Sequence, residues 1–372
     1  MPTVLSYPGV YIEEVASGVR TITGVPTSIA AFVGRATRGP VNKALTINGF
    51  GDFERVFGGL WLQSQLGFAV RDFFLNGGGQ AIVVRLFAAG PVPAVPVVAA
   101  VPVVPAGPVV PAVPVSIATL AAGGLDLVAA SEGRWGANLR AVVDKDGMSD
   151  EVALAMGVAT ADLFNLTVRD AASGGSTERY ANLTVKESAR RIDRVLVAQS
   201  ALALWSGTLD PNTAPAVTAG SDAVSAAEKT MADKKKELAV AQVSGVAATI
   251  AAAKVALNAA QTAADVAKKR ATDAVSDGVH LKAIDFLPDK GETNKHGLYA
   301  LDQADLFNLL CIPPYATTDE ISFDADPIVV SAATAYCEKR RAIHFIDPPS
   351  TWTTKDAARD NIATFPDRKS VV

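Results

Sequence analysis

Prolines 93, 96, 102, 105, 108, 111 and 114 all fall on one phase of a three-residue period, the repeat of a polyproline II helix. Proline has no amide donor and a fixed φ, so neither an α-helix nor a central strand can run through them. Residues 88–118 are therefore read as a Pro/Val-rich linker of semi-rigid character. A ligand for aromatic-lined grooves is the competing interpretation, and the lack of basic flanks disfavours it. The linker interrupts a chain of 372 residues that is 49% hydrophobic, enough material for two or three domains with cores of their own.

Ahead of the linker, Ser28 to Arg35 is nearly all apolar, as in a central strand covered on both faces. Leu62, Leu66, Ala69, Val70, Phe73 and Phe74 keep the helical period, and Asn76-Gly77 supplies a left-handed stop. Gln80 to Phe87 is another buried strand, so residues 28–87 read strand, helix, strand. Residues 7–15, Tyr-Pro-Gly-Val-Tyr-Ile-Glu-Glu-Val, are strand-like but precede any core on which they could pack.

Beyond the linker, strand patterns at Leu139–Val143, Leu163–Val168 and Tyr180–Val185, with a turn at Ala172–Gly175, predict a small mainly-β domain. Val246, Ile250, Ala253, Leu257, Ala260, Ala264, Ala267 and Ala271 then hold a four-three alternation, a coiled-coil seam of small residues. A sparser seam, Val224, Ala227, Met231, Leu238 and Ala241, precedes it. Ser244-Gly245 between them marks an antiparallel helical hairpin, with a single bent helix as the alternative. Leu306 to Ile312 reads as a strand stopped by Pro313-Pro314. Asp326-Pro327 opens a helix with Ile328, Val329, Ala332, Ala333, Tyr336 and Cys337 on its buried face and Arg340 and Arg341 at its negative end. Ala342 to Ile346 closes a second strand-helix-strand unit.

The predicted fold is an α/β core of strand-helix-strand units with an inserted small mainly-β domain and an alanine-rich helical hairpin insertion. Its divisions are an N-terminal extended arm (1–20), the first part of the core (21–87), the linker (88–118), the β domain (119–215), the helical insertion (221–276) and a closing α/β module (280–372).

The formal net charge of -4 gives no general attraction to nucleic acid or anionic lipid. Cys311 and Cys337 lie in apolar stretches, which points to synthesis in a reducing cytoplasm rather than to a disulfide framework. No apolar run reaches membrane-spanning length. Asn76-Gly77-Gly78-Gly79 ends a helix and opens a strand, the reverse of a dinucleotide loop, and no P-loop occurs. His280, His296 and His344 are far apart and form no zinc pattern. Asp144-Lys145-Asp146-Gly147 with Asp150 and Glu151 has its glycine too early for an EF-hand. The strongest enzymatic alternative is an α/β ligand site at the strand ends near Pro313 and Asp347, with Asp319, Glu320, Asp324 and Asp326 close in sequence. The double prolines there remove backbone donors, and no nucleophile, basic clamp or glycine loop accompanies them. Catalytic, cofactor-binding and metal residues are therefore expected to be none.

Several segments, in order, resemble the contractile phage-tail sheath proteins. They are Tyr7–Val15 with Ile22–Ser28, Phe53–Leu60, Phe73–Gly78, Ala81–Leu86, Gly297–Asp302, Leu306–Pro314 and Ala335–Ala342, with looser similarity at Gly133–Gly136 and Tyr180–Val185. The resemblance covers roughly residues 1–87 and 290–350 and leaves the linker and the alanine-rich helices as insertions. It implies a non-enzymatic subunit of a phage tail, R-type bacteriocin or extracellular contractile injection system. Such subunits polymerise helically around a rigid tube and shorten irreversibly when the baseplate opens. Implied partners are other sheath subunits, the inner tube protein, and baseplate and tail terminator proteins, with no nucleic acid and no direct membrane contact. The family's large C-terminal module is absent, so a truncated or split form is expected. Synthesis would occur in the bacterial cytoplasm, and the assembled form would be a phage tail or injection particle, in a virion or extracellular after lysis. The arm residues Val10, Tyr11, Ile12, Glu13, Glu14 and Val15 are expected to join a neighbour's sheet by strand addition.

Overall fold

The computed structural model describes residues 28–89, 116–208, 210–217, 223–315 and 324–362. The arm at Val10–Val15, most of the proline linker, and Asp319 and Glu320 lie outside the described residues.

Strand β1 (Ile29–Gly34) is buried along its whole length. It is followed by β2 (Ala44–Ile47), α1 (Phe50–Phe57), α2 (Leu66–Leu75) and β3 (Gln80–Arg85). Helix α1 buries Phe53 and Phe57, one turn apart on one face, and stops at Gly58 with φ 91°, where a side chain would be strained. Gly77, φ 91°, supplies the expected left-handed stop after α2. That helix begins only at Leu66, so Leu62 lies ahead of it and is 87% exposed rather than on its buried face.

The middle of the chain forms β4 (Thr119–Ala122), β5 (Leu125–Ala129), β6 (Leu139–Asp144), α3 (Asp150–Met156), β7 (Phe164–Asp170), β8 (Thr177–Leu183), α4 (Ile192–Gln199) and β9 (Ala203–Trp205). Two three-stranded antiparallel sheets, β4-β5-β9 and β6-β7-β8, enclose one core that includes Leu127, Phe164, Leu166, Leu183 and Leu196. Strand β8 ends at Leu183, short of Val185, because Thr184 turns to bridge Arg191.

Helices α5 (Ala223–Ser244) and α6 (Ala247–Asp273) form a hairpin turned at Gly245, φ 70°, and not a bent helix. Val224, Ala241, Ala260 and Ala264 are its buried seam residues. Val246, by contrast, is exposed at the turn. At the base, Glu228 pairs with Arg140 of β6 at 3.9 Å and with Lys268 at 3.2 Å, and Val275 enters the core of the β region. The hairpin is thus anchored at its base, while its outer part packs on itself. Excising residues 231–265 and bridging the ends with a few glycines keeps every anchor. We expect a soluble protein with reduced helical circular dichroism and a stability change of no more than about 1 kcal/mol, since only self-contained contacts are removed. Insolubility or a collapse of the remaining melting transition would contradict this.

The chain returns through α7 (Ala283–Phe286), α8 (Gly291–Asn294), a 3-10 turn at Gly297–Gln303, β10 (Leu309–Cys311), α9 (Pro327–Arg340), β11 (Ile343–Phe345) and α10 (Lys355–Asn361). Pro327 opens α9 as expected, although the Asp326 side chain makes no capping bond. Val329, Ala333, Tyr336 and Cys337 are buried, whereas Ile328 falls outside that stripe and is 62% exposed. Arg340 reaches Asp302 at 3.2 Å and the Ala304 carbonyl at 2.7 Å, and Arg341 takes the left-handed cap position.

Both ends of the described chain build one five-stranded sheet, ordered β11-β10-β1-β3-β2. Strands β11, β10, β1 and β3 are parallel, and β2 is an antiparallel edge. The Ile29 amide also donates to Asn308 Oδ1 at 3.2 Å, across 279 positions of sequence. Alternate residues serve opposite faces: Ala30, Phe32 and Val83 pack with α1 and α2, and Ala31, Val33 and Leu310 with α9 and the 3-10 turn. That double cover is why β1 and β3 read as continuous apolar runs. Among the described residues, no helix is long and apolar enough to cross a membrane.

Candidate functional site

In a sheet of this kind, the ligand crevice lies where the connections diverge, at the carboxyl ends of β1 and β10. Here Arg35, Gln63, Leu66, His280, Pro313 and Tyr315 occupy that position and leave about 20 Å³, room for about one water molecule. Burial and the nearby Arg35 charge hold the His280 pKa below its ordinary value.

A larger cavity of about 330 Å³ opens beside β11, lined by Ile312, Asp324, Val329, His344, Asp347 and Pro349 among others. Asp347 is exposed at the edge of this cavity, and partial desolvation raises its pKa. The Cys311 thiol is pushed up to about 12 by burial and by Asp347, and buried Cys337 also to about 12, so neither is an activated nucleophile at neutral pH. Asp324 accepts from the Ser350 amide at 2.8 Å and from its hydroxyl at 3.1 Å. The cavity therefore brings together the predicted Asp324 and Asp347, with Pro313 belonging to the neighbouring crevice. Among the described residues, no group of three or more His, Cys, Asp or Glu side chains could hold a metal ion. Asp144 is instead engaged by Asn165 at 2.6 Å and Arg179 at 3.2 Å.

His344 is 2% exposed. Thr334 Oγ1 donates to the Val330 carbonyl at 2.9 Å, which leaves it to accept from His344 Nδ1 at 3.0 Å and selects the neutral Nδ1–H tautomer. Burial lowers the ring's pKa from 6.5 to about 4. The unfolded chain thus binds a proton in this window that the folded chain does not, so stability is full above 6.5 and declines as pH falls towards 4. The loss should approach roughly 3 kcal/mol. A His344→Gln variant, lacking the titrating ring, should show a flatter denaturation profile between those values. Identical slopes in the two proteins would refute this assignment.

The most developed polar constellation is elsewhere, where the α/β core meets the β region and the hairpin's exit. Arg85 ends β3 with no exposure at all. Its Nε donates to the Ala36 carbonyl (2.9 Å), Nη1 to the Gly39 carbonyl (2.6 Å) and Nη2 to the Glu132 carbonyl (2.9 Å), and Glu132 Oε2 lies 3.4 Å from Nη1. Burial lowers the Arg85 pKa to about 10, partly offset by Glu132, so it stays charged at neutral pH. Arg38 spans from Asp170 (3.3 Å) to the terminal α1 carbonyls of Glu54 (3.1 Å) and Arg55 (2.9 Å). Arg35 donates to the carbonyls of Asp277 and Gly278, and Asp277 Oδ1 accepts from the Arg134 amide at 2.7 Å. Gly133 approaches so closely that a Cβ there would lie 2.4 Å from the Thr37 carbonyl oxygen. Apart from Arg38 Nε, which is buried without a partner, these donors are engaged with protein acceptors, so the constellation joins parts of the fold rather than presenting a phosphate clamp. Sequence reasoning missed it, although a charged Arg85 inside a run that reads as fully buried was a visible signal.

No protein-family model matches the chain, and no curated protein does. Among solved structures, it is similar to a sheath tail protein from Desulfitobacterium hafniense, with a TM-score of 0.42 and 14% identity over 98% of this chain and 55% of that one. It is also similar to a sheath tail protein from Listeria innocua, with a TM-score of 0.32 and 15% identity over 53% of this chain and 33% of that one. This chain therefore spans about half or less of the length of the sheath tail proteins it is similar to.

Proposed function

We propose that the chain is a structural subunit of a contractile tail sheath, which polymerises around a rigid tube and shortens to drive the tube out. The observation that carries this reading is where the described sheath-like segments lie. Phe53–Leu60, Phe73–Gly78, Ala81–Leu86, Gly297–Asp302, Leu306–Pro314 and Ala335–Ala342 are widely separated in sequence, yet they all belong to the one α/β core around β3, β1 and β10. The stretches with only looser resemblance, at Gly133–Gly136 and Tyr180–Val185, or with none form the β region and the hairpin. In this reading, residues 119–215 and 221–276 are insertions into the sheath core. The arm at Val10–Val15 links each subunit to its neighbour, and the tube, baseplate and terminator proteins are further partners. The filled switch-point crevice also weighs against ligand chemistry at the usual position in such a sheet.

The arginine junction suits a mechanical part. It ties the β region and the hairpin exit to the sheet by hydrogen bonds to backbone carbonyls, so they would travel with the core when subunits rotate and repack. Electron microscopy of the chain co-expressed with its neighbouring gene products tests the proposal. Striated tubes carrying this chain are expected. A dispersed particle with ligand density beside Asp347 would favour an α/β binding protein instead.

A further inference from the structure

The cavity of about 330 Å³ lies between the carboxyl end of β11 and the first turns of α9, and its lining includes His344, Asp347 and Asp324. His344 is 2% exposed. Its Nδ1–H is taken by Thr334 Oγ1 at 3.0 Å, and Nε2, at the opposite edge of the ring, meets no hydrogen-bond partner among the described residues. A buried lone pair of this kind costs free energy until a donor meets it. Burial keeps the ring neutral at physiological pH, its pKa lying at about 4, so Nε2 can accept a hydrogen bond and cannot offer one. The Asp347 carboxylate, exposed at the cavity's edge, also has no hydrogen-bond or ion-pair partner among the described residues. Asp324, held by Ser350, adds a second carboxylate. No described lysine or arginine lines the cavity, and the rest of its wall is largely apolar, with Ile312, Val329 and Phe345.

We propose that this cavity binds a primary ammonium group on a short aliphatic stem, the ammonium between His344 Nε2 and Asp347 and the stem along the apolar wall. Charge and hydrogen-bond sense select the same ligand, because the imidazole and both carboxylates accept and an ammonium donates three times. A helix N-terminus ordinarily attracts anions, but α9 has few amides left for one. Pro327 has none, and those of Val329 and Val330 both donate to the Asp326 carbonyl, at 2.9 and 3.0 Å. A divalent cation is the poorer occupant, since no three His, Cys, Asp or Glu side chains among the described residues converge to hold one. The volume is at the lower end of the roughly 300–1,000 Å³ of small-molecule pockets, which suits a single short stem. The site stands whether or not the chain assembles into a sheath.

Nuclear magnetic resonance of the full chain with isotope-labelled histidine tests the proposal, because of the three histidines His344 lines the cavity. On titration with n-butylammonium chloride, the His344 Nε2 resonance is expected to shift saturably while those of His280 and His296 stay in place. Asp347→Asn, a change at the exposed rim, should weaken this binding by about tenfold or more. Asp72→Asn, at an exposed ion pair on α2, should leave it unchanged. Butanol and butyrate, with the same stem and no positive charge, should give no saturable shift. No shift with butylammonium, equal affinity in the Asp347→Asn protein, or tighter binding of butyrate overturns the proposal. Sedimentation separates two sources of the ammonium group. Monomers throughout, with the expected shift, support a free amine as the ligand. Self-association that butylammonium reverses and Asp347→Asn abolishes supports the same site with a lysine side chain of a second copy in it.

Discussion

An Arg85→Met variant is expected to unfold with a loss of roughly 3–5 kcal/mol, the range found when one partner of a buried charged network is removed. The side chain has no exposed surface and serves three carbonyls, of Ala36, Gly39 and Glu132, which methionine cannot satisfy. Each buried acceptor left without a donor costs about 1–3 kcal/mol, and Glu132, being partly exposed, can recover solvation. An Arg85→Lys variant retains the charge but not the planar fork, so it should fall between the two. Arg71→Met removes an exposed pair with Asp72 and should change stability by no more than about 0.5 kcal/mol. Chemical denaturation of the four proteins decides the matter. An Arg85→Met protein within about 1 kcal/mol of the parent would show that the junction is not held by this residue. Because the acceptors belong both to the loop after β1 and to Glu132, the variant should also loosen the β region relative to the sheet. Hydrogen exchange at Ser131–Gly136 reads that separately from global unfolding.

The same residue shows how far this fold is legible in its sequence. Strands β1 and β3, helices α2 and α9 and the α5–α6 hairpin follow from periodicity, because each buries a face broad enough to leave a repeating pattern. Helix α1 escaped, although Phe50, Phe53 and Phe57 carry the helical spacing, because glycines flank a short segment that reads equally well as a turn. Strands β2, β4 and β9 are only three or four residues long, too short for alternation to declare itself. The partnership of β1 with β10 is a long-range pairing that no local pattern encodes. The predicted aspartates near the carboxyl ends of β10 and β11 converge only in part, with Asp324 and Asp347 on one cavity. The arginine junction needed knowledge of which strand ends meet. What the sequence did offer was Arg85 itself, a charge in a run otherwise fit only for the interior, and such a residue requires partners supplied by distant chain.

An Ile12→Pro substitution is expected to abolish tube formation while leaving the globular part folded. Residues 10–15 lie outside the described residues, so the case rests on the sequence and on the sheath proposal. Val10, Tyr11, Ile12 and Val15 favour an extended strand. An unpaired strand is a template for association with a second sheet. Each main-chain hydrogen bond made to a neighbouring subunit would contribute about 0.5–1.5 kcal/mol net. A run of them, repeated at every subunit, would hold the array together while the bodies rotate. Proline removes one donor and bars its neighbours from regular pairing, so the whole run is lost rather than one bond. The core should not notice: β1 begins at Ile29, well beyond the substitution. A melting temperature matching the parent, together with the absence of striated tubes when the variant is assembled with a full-length sheath and tube protein, is the expected result. Ile12→Val, which keeps the donor and the strand preference, should assemble as the parent does. Tubes formed equally well by Ile12→Pro would remove strand addition from the account, and a lowered melting temperature would place the arm within the subunit's own fold.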